Sequence, residues 1–213
     1  VDAGAGTVEG VSYLVFVGPA LLVSSIVMEA SGEFTYPVMS GFKWQRHYFA
    51  ATASPVTPPQ VVMGEVVAVG LRFIAEAALF WLALVWFGAV TSPASALMIL
   101  IAPLAALAFG APLMAFAATQ TDEGAQFPII QRFVVMPMFL FAGTFFPLDA
   151  MPGYLQWIGW ISPMWHGTQL ARVVGFGMAN PWWLTLLHVV VLVAASVVGL
   201  WGAARVFTRR VTR

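Results

Sequence analysis

"VVMGEVVAVGLRFIAEAALFWLALVWFGAV", residues Val61–Val90, runs for thirty residues with only three ionisable side chains, Glu65, Arg72 and Glu76. About 20 mostly apolar residues cross the hydrocarbon core of a bilayer, so this stretch predicts a transmembrane helix. Pro58 and Pro59 suit its first turn, where a missing N–H is no loss, and the TSPAS sequence at Thr91–Ser95 stops it. The composition agrees: of 213 residues, 61% are hydrophobic and 8% are charged, with nine acids against nine bases. A soluble domain carries roughly a quarter charged residues, so water is not the main solvent of this chain.

Four more stretches are long and apolar enough to span: Val11–Met28, Ala96–Ala118, Phe127–Phe146 and Leu184–Phe207. The expectation is an all-α polytopic membrane protein, a single domain over residues 1–213 with five spans. Pro103, Pro112 and Pro137 predict kinks whose freed carbonyls neighbouring helices must satisfy. Ala102, Ala106 and Gly110, four residues apart, form a small-residue face for close helix packing.

Orientation follows from the bases. With the 40–60 loop cytoplasmic, Lys43, Arg46, Arg205, Arg209, Arg210 and Arg213 all fall on that side, and Arg172 alone lies outside. The C-terminus is then cytoplasmic and Val1 extracytoplasmic. An outside start, a first residue other than Met and an odd span count lead to the expectation of one further N-terminal span, six in all.

Two connections are too rich in chemistry to be simple turns. The inner one, "SGFKWQRHYFAATASPVTPPQ" (Ser40–Gln60), gathers Lys43, Arg46 and His47 beside Phe42, Trp44, Tyr48 and Phe49. Its Phe42–Ala53 portion is helix-competent and closed off by Pro55, Pro58 and Pro59. A headgroup anchor is its plainest reading, since Lys, Arg and Trp all favour the anionic interface. A docking element for another protein is the alternative. The outer connection, Pro147–Pro181, carries Tyr154, Trp157, Trp160 and Trp165. An interfacial aromatic belt explains the rings, yet two short helices are also legible. One follows Pro152, and one starts at Ser162-Pro163 as N-cap and first-turn proline and stops near Gly175. Such a pair would dip into the outer leaflet and return.

Glu65, Arg72 and Glu76, at spacings of seven and four, fall within about 40° of one another on a helix. Each ionisable group in hydrocarbon costs on the order of 3 kcal/mol on insertion scales. The stripe therefore reads either as a substrate or ion pathway or as an Arg72–Glu76 pair that closes helix packing.

Several chemistries are excluded. Without cysteine there is no disulfide, thiolate metal site or cysteine nucleophile. The sequence holds no G-x-x-x-x-G-K-[ST], H-E-x-x-H or G-x-S-x-G motif, so no catalytic residues, bound cofactor or metal are expected. A net charge of zero argues against a nucleic-acid partner. His166 has no acid at a suggestive spacing, and His188 reads as an interfacial histidine.

"FLFAGTFFPLDAMPGYLQWIGWISPMWHGTQLARVVGFG", Phe139–Gly177, resembles the C-terminal signature of type-2 ABC-transporter permeases. It is most similar to the branch of nodulation lipo-oligosaccharide exporters and daunorubicin-type drug exporters. The matching features are a turn from Gly143 to Pro147, Met151-Pro152, Pro163 with Trp165 and His166, then Arg172 and Gly175. "YLVFVGPALLVSSIVMEAS" and "MGEVVAVGLRF" stand where that branch has its second and third spans. The resemblance implies a bacterial plasma-membrane permease that pairs with a second permease subunit and with cytoplasmic ATPase subunits binding ATP and Mg. It implies an N-terminal interfacial helix and first span that this chain lacks. It makes Phe42, Lys43, Trp44, Arg46, His47, Tyr48 and Phe49 a coupling helix for the ATPase. It also makes Pro152–Gly175 a re-entrant outer gate, with Phe145, Phe146, Tyr154, Trp157, Trp160, Trp165, His166 and Arg172 around it. An ion-coupled secondary transporter and a non-transporting scaffold or sensor subunit remain open as alternatives.

Overall fold

The computed structural model describes residues 7–121 and 124–212, and the secondary structure among them is helical apart from one isolated bridge between Val8 and Val11. Helix α1 covers Tyr13–Glu33, α2 Tyr36–Lys43, α3 His47–Thr52, α4 Pro58–Trp86 and α5 Met98–Ala117. Then come α6 (Gln126–Ile130), a π-helical turn (Gln131–Val135) and α7 (Met136–Phe141), followed by α8 (Gly153–Ile161), α9 (Pro163–Phe176) and α10 (Trp182–Val211). Four helical stretches among the described residues are long and apolar enough to cross a membrane: Tyr13–Lys43, Pro58–Trp86, Pro93–Ala117 and Trp182–Val211.

The starts of these helices follow the sequence signals. Pro58 and Pro59 open α4, and the Gln60 side chain accepts the Thr57 N–H at 2.8 Å, which fixes the entry of the chain. Ahead of α5, the Ser92 hydroxyl accepts the Ala94 N–H at 3.2 Å and launches a short 3₁₀ turn. Ala102, Ala105 and Ala106 on α5 are fully buried, and Gly110 packs beneath the Phe34 ring. Small residues let backbones approach where no hydrophobic force separates helix from lipid. The same logic brings α10 onto α5: a Cβ at Gly199 would lie 2.5 Å from the Cδ of Pro112.

The structure departs from the sequence reading at the ends of α1 and α7 and within the 40–60 loop. Helix α1 continues five residues beyond Met28, because Glu33 meets a cation on α4 and the acids at its end need not terminate the span. The stretch expected to span over Phe127–Phe146 is helical only over Gln126–Phe141. Gly143 turns there with φ +73°, and the carbonyls of Gly143 and Thr144 turn inward to Arg172. The single helix expected over Phe42–Ala53 is broken at Trp44–Arg46, where Arg46 takes a left-handed backbone (φ 55°), an uncommon choice for a residue with a Cβ. Helix α9 stops at Phe176, beside the expected Gly175; Gly177 supplies the left-handed cap, and Gly175 packs against Pro19.

Helices α8 and α9 are present and share Ser162 as their junction. Along α9, Gly175 lies against Met98, Gly167 against Ala105, and Pro163 lines the same groove as Phe109. From Met98 to Phe109 helix α5 advances about 16 Å at 1.5 Å per residue, so α9 runs alongside α5 over that distance. Its far end is held to the loop before α5, where Thr91 and Ser92 donate backbone N–H groups to the Gly175 carbonyl at 3.0 and 3.1 Å.

Candidate functional site

Three groups of candidate side chains are gathered by this packing. The first is the ionisable stripe of α4. The Arg72 Nη2 lies 2.6 Å from Glu33 Oε2 on α1, and its Nε lies 3.7 Å from Glu76 Oε1 one turn further along α4. These side chains are not sealed inside: Arg72 is 46% exposed, Glu76 33% and Glu33 26%. Glu29, one turn before Glu33, is exposed as well, and so are Ser25 and Gly32 along the same helix and Tyr36 at the start of α2. Elsewhere the bundle shows water or lipid an apolar exterior, such as Leu71, Leu79 and Leu82 on α4 and Val197 and Val198 on α10. The α1–α4 seam is thus a polar band on an otherwise oily surface. Glu65 lies on the same line but takes no part in the ion pair. Sequence reasoning named Arg72–Glu76 and missed Glu33, because the shorter bond crosses between helices. Its available signal was the Glu29-x-x-x-Glu33 spacing, which puts both acids on one face at the end of α1.

The second group is the inner loop. Phe42 and Tyr48 are buried and stack with Phe207 of α10, with centroids at 4.7 and 5.0 Å, and Arg210 lies over the Phe42 ring at 4.4 Å. Gly41 must lack a side chain because the Tyr48 ring occupies the space a Cβ would need. Burial, and secondarily the Glu65 carboxylate, pushes the Tyr48 hydroxyl well above its ordinary range, and that hydroxyl has no hydrogen-bond partner. What faces outward is Trp44, Arg46 and His47, with Lys43 and Phe49 half-buried. The seven residues expected to act together therefore divide: Phe42 and Tyr48 brace the loop, and Trp44, Arg46 and His47 form its free surface. Phe207 and Arg210, which brace it from the C-terminal helix, carried no sequence signal beyond their aromatic and basic character.

The third group is the outer element. Arg172 is 1% exposed, and no carboxylate among the described residues reaches it. Its guanidinium donates to the carbonyls of Phe16 (3.2 Å), Gly143 (2.6 Å) and Thr144 (3.1 Å) and sits 3.8 Å from the Phe16 ring centroid. One side chain thus ties α9 to α1 and to the turn after α7, and the Ser24–Thr144 hydroxyl pair at 2.9 Å reinforces the same junction. His166 Nε2 lies 3.0 Å from the Trp160 carbonyl, which can only accept, so Nε2 carries the proton. His166 Nδ1 then accepts from Nδ1–H of His188, 2.7 Å away, and the Trp165 ring covers both imidazoles. The two histidines, read separately in the sequence, form one buried pair joining α8, α9 and α10. Tyr154, Trp157, Trp160 and Phe146 are exposed, whereas His166 and Arg172 are interior. The eight residues expected around an outer gate thus comprise an exposed aromatic rim and a buried fastening.

No cluster of three or more His, Asp or Glu that could hold a metal occurs among the described residues. The arrangement is one of helices long and apolar enough to cross a membrane, with a polar seam, a braced aromatic and basic loop, and a pair of short helices fastened by Arg172 and the two histidines. The chain belongs to the ABC-2 type transporter family, which matches residues 3–176. That family comprises membrane transport subunits that work with an ATPase subunit and are not themselves catalytic. Among individual proteins, the chain is 27% identical to Nodulation protein J of Rhizobium leguminosarum bv. viciae, covering 98% of this chain and 79% of that one. It is 24% identical to Nodulation protein J of Rhizobium meliloti (strain 1021), covering 96% and 77%. No solved structure matches it.

Proposed function

We propose that this chain is the permease of an ABC exporter that moves an amphipathic cargo outward across a bacterial plasma membrane. The cargo is a lipid-like molecule, a lipo-oligosaccharide or a hydrophobic drug. Two permease subunits stand side by side, and cytoplasmic ATPase subunits hydrolysing Mg-ATP drive them. The 40–60 loop and the C-terminus lie on the cytoplasmic side. Helices α6 and α7 with their π turn make a fifth crossing, and α8–α9 re-enter the outer leaflet.

The observation that carries this reading is the exposed Arg72–Glu33–Glu76 band. Facing lipid, ionisable groups in a span cost on the order of 3 kcal/mol each. Facing a water-filled path between two subunits, they carry no such penalty and offer polar contacts to a headgroup or sugar. The outward-facing Trp44, Arg46 and His47 suit docking to an ATPase groove, and the braced rings behind them suit transmission of its motion into α10 and α4. Support for re-entry comes from the 16 Å over which α9 accompanies α5, about half the hydrocarbon thickness.

Reconstitution with the ATPase subunit tests the reading. ATP hydrolysis stimulated by a lipo-oligosaccharide or an anthracycline is expected, and it should be lost in R72Q. Transport that persists without ATP and follows an ion gradient would instead make the chain a secondary transporter. An assembly whose ATPase ignores every such cargo would be a scaffold.

A further inference from the structure

Helix α6 meets α5 through the Phe116–Phe127 edge contact at 6.4 Å, whereas the π turn and α7 leave a gap beside α5. The π turn meets α1 through the Ser31–Gln131 hydrogen bond at 2.8 Å, and a groove remains on the α5 side. Its upper part encloses about 360 Å³, walled by Phe109, Val134, Met138 and Ile158. Its lower part, about 450 Å³, is a shallow, open trough that reaches Phe116 and Ile130. Phe109, Val134 and Pro163 line both, so the two parts form one continuous open groove. From Ala108 to Phe116 it follows α5 for about 12 Å, much of the length of a fatty-acyl chain.

One hydroxyl stands in the wall of this groove. Ser162 is 3% exposed, and its Oγ has no hydrogen-bond partner among the described residues. It occupies the N-cap position of α9, where a serine oxygen ordinarily accepts an amide N–H from the first turn, yet it makes no capping bond. The first-turn amides of α9 are therefore uncapped beside it. A buried hydroxyl left unpaired keeps its full desolvation penalty. Such a deficit at the edge of an apolar groove is relieved by a ligand that brings an acceptor and a hydrocarbon tail together. Within a bilayer the apolar walls do not prefer one tail over another, because lipid is as apolar as Leu. Selection falls on the polar junction.

We propose that this groove binds the chain of an acyl-ester or acyl-amide lipid, with Ser162 and the open start of α9 holding its carbonyl. As a binding site it is independent of nucleotide. Only the identification of the occupant with exported cargo rests on the export reading above.

Photolabelling in phosphatidylcholine nanodiscs, without ATPase or ATP, tests it. The probe is a trace of phosphatidylcholine whose acyl chain carries a diazirine, and the control is its ether-linked analogue, which lacks the carbonyl. The ester probe is expected to label the peptides bearing Phe109 and Val134 severalfold more than the ether probe. Ser162→Ala should reduce ester labelling to the ether level, and Ser162→Thr, which keeps the hydroxyl, should retain it. Equal labelling by both probes, labelling spread evenly over α4 and α10, or full ester labelling in Ser162→Ala would each overturn the proposal. Should selective labelling hold while reconstituted export is absent, the groove stands and the export reading fails. Active export with unselective labelling would overturn the groove and leave the export reading standing.

Discussion

The guanidinium of Arg72 and the carboxylate of Glu33 meet at 2.6 Å across two membrane-spanning helices, with nearly half of the Arg72 side chain uncovered. A contact of this kind contributes little to stability when water reaches it, about 0–1 kcal/mol. Its value lies in keeping a polar seam between α1 and α4. Glu33→Gln should therefore lower thermal stability by no more than about 1 kcal/mol while strongly reducing cargo-stimulated ATP hydrolysis. The exchange Glu33→Arg with Arg72→Glu should restore part of the activity. Wild-type stimulation in both single variants would show that the pair merely packs.

Arg172 behaves oppositely. It is buried and satisfies three carbonyls at the meeting of α1, α7 and α9. Arg172→Ala leaves the Gly143 and Thr144 carbonyls unpaired at about 1–3 kcal/mol each, a large share of the roughly 5–15 kcal/mol that keeps a domain folded. We expect loss of the folded permease from membranes, read by size-exclusion profile and yield. Arg172→Gln, which keeps two donors, should retain part of it. Normal yield of Arg172→Ala would contradict the fastening role.

The inner loop separates bracing from docking. Tyr48→Phe removes a buried hydroxyl that has no partner and should be neutral or stabilising, with ATPase association unchanged. Arg46→Gly relieves a left-handed backbone and should stabilise by about 1 kcal/mol. Because it also removes an exposed cation, it should weaken ATPase co-purification. Trp44→Ala should weaken co-purification without changing the melting temperature. A Tyr48→Phe variant that loses the ATPase would move docking onto the buried face.

The His166–His188 contact predicts how the outer hairpin opens. His188→Ala removes the donor to His166 Nδ1 and loosens the ring pair beneath Trp165. A hydrogen bond of this kind contributes about 1 kcal/mol. Amide exchange across Trp160–His166 should accelerate several-fold, with little change in α4. Unchanged exchange there would mean that packing alone holds the hairpin.

Much of this organisation is legible in the sequence because apolar length and proline placement are local signals. The stretch Val61–Val90 marks α4 within a few residues, and Ser162-Pro163 marks the α8–α9 junction. The departures all arise from contacts between distant parts of the chain. Arg172 draws in the carbonyls of Gly143 and Thr144 and ends α7 early. Glu33 extends α1 because Arg72 waits opposite. Tyr48 turns inward because Phe207, from the last helix, completes its pocket. The candidate site is legible as residue types, whereas the division between bracing and exposed members is not, since alternation along so short a loop encodes no face.

Service of the exposed polar seam in ATP-driven export is tested most directly by movement of a fluorescent lipo-oligosaccharide across proteoliposomes. These hold the permease with its ATPase subunit, and wild type is compared with Arg72→Gln. Movement is expected to require Mg-ATP, to run toward the face opposite the ATPase, and to collapse in Arg72→Gln while the complex stays assembled. Movement that proceeds without ATP, or at an undiminished rate in Arg72→Gln, would contradict an export path along the seam.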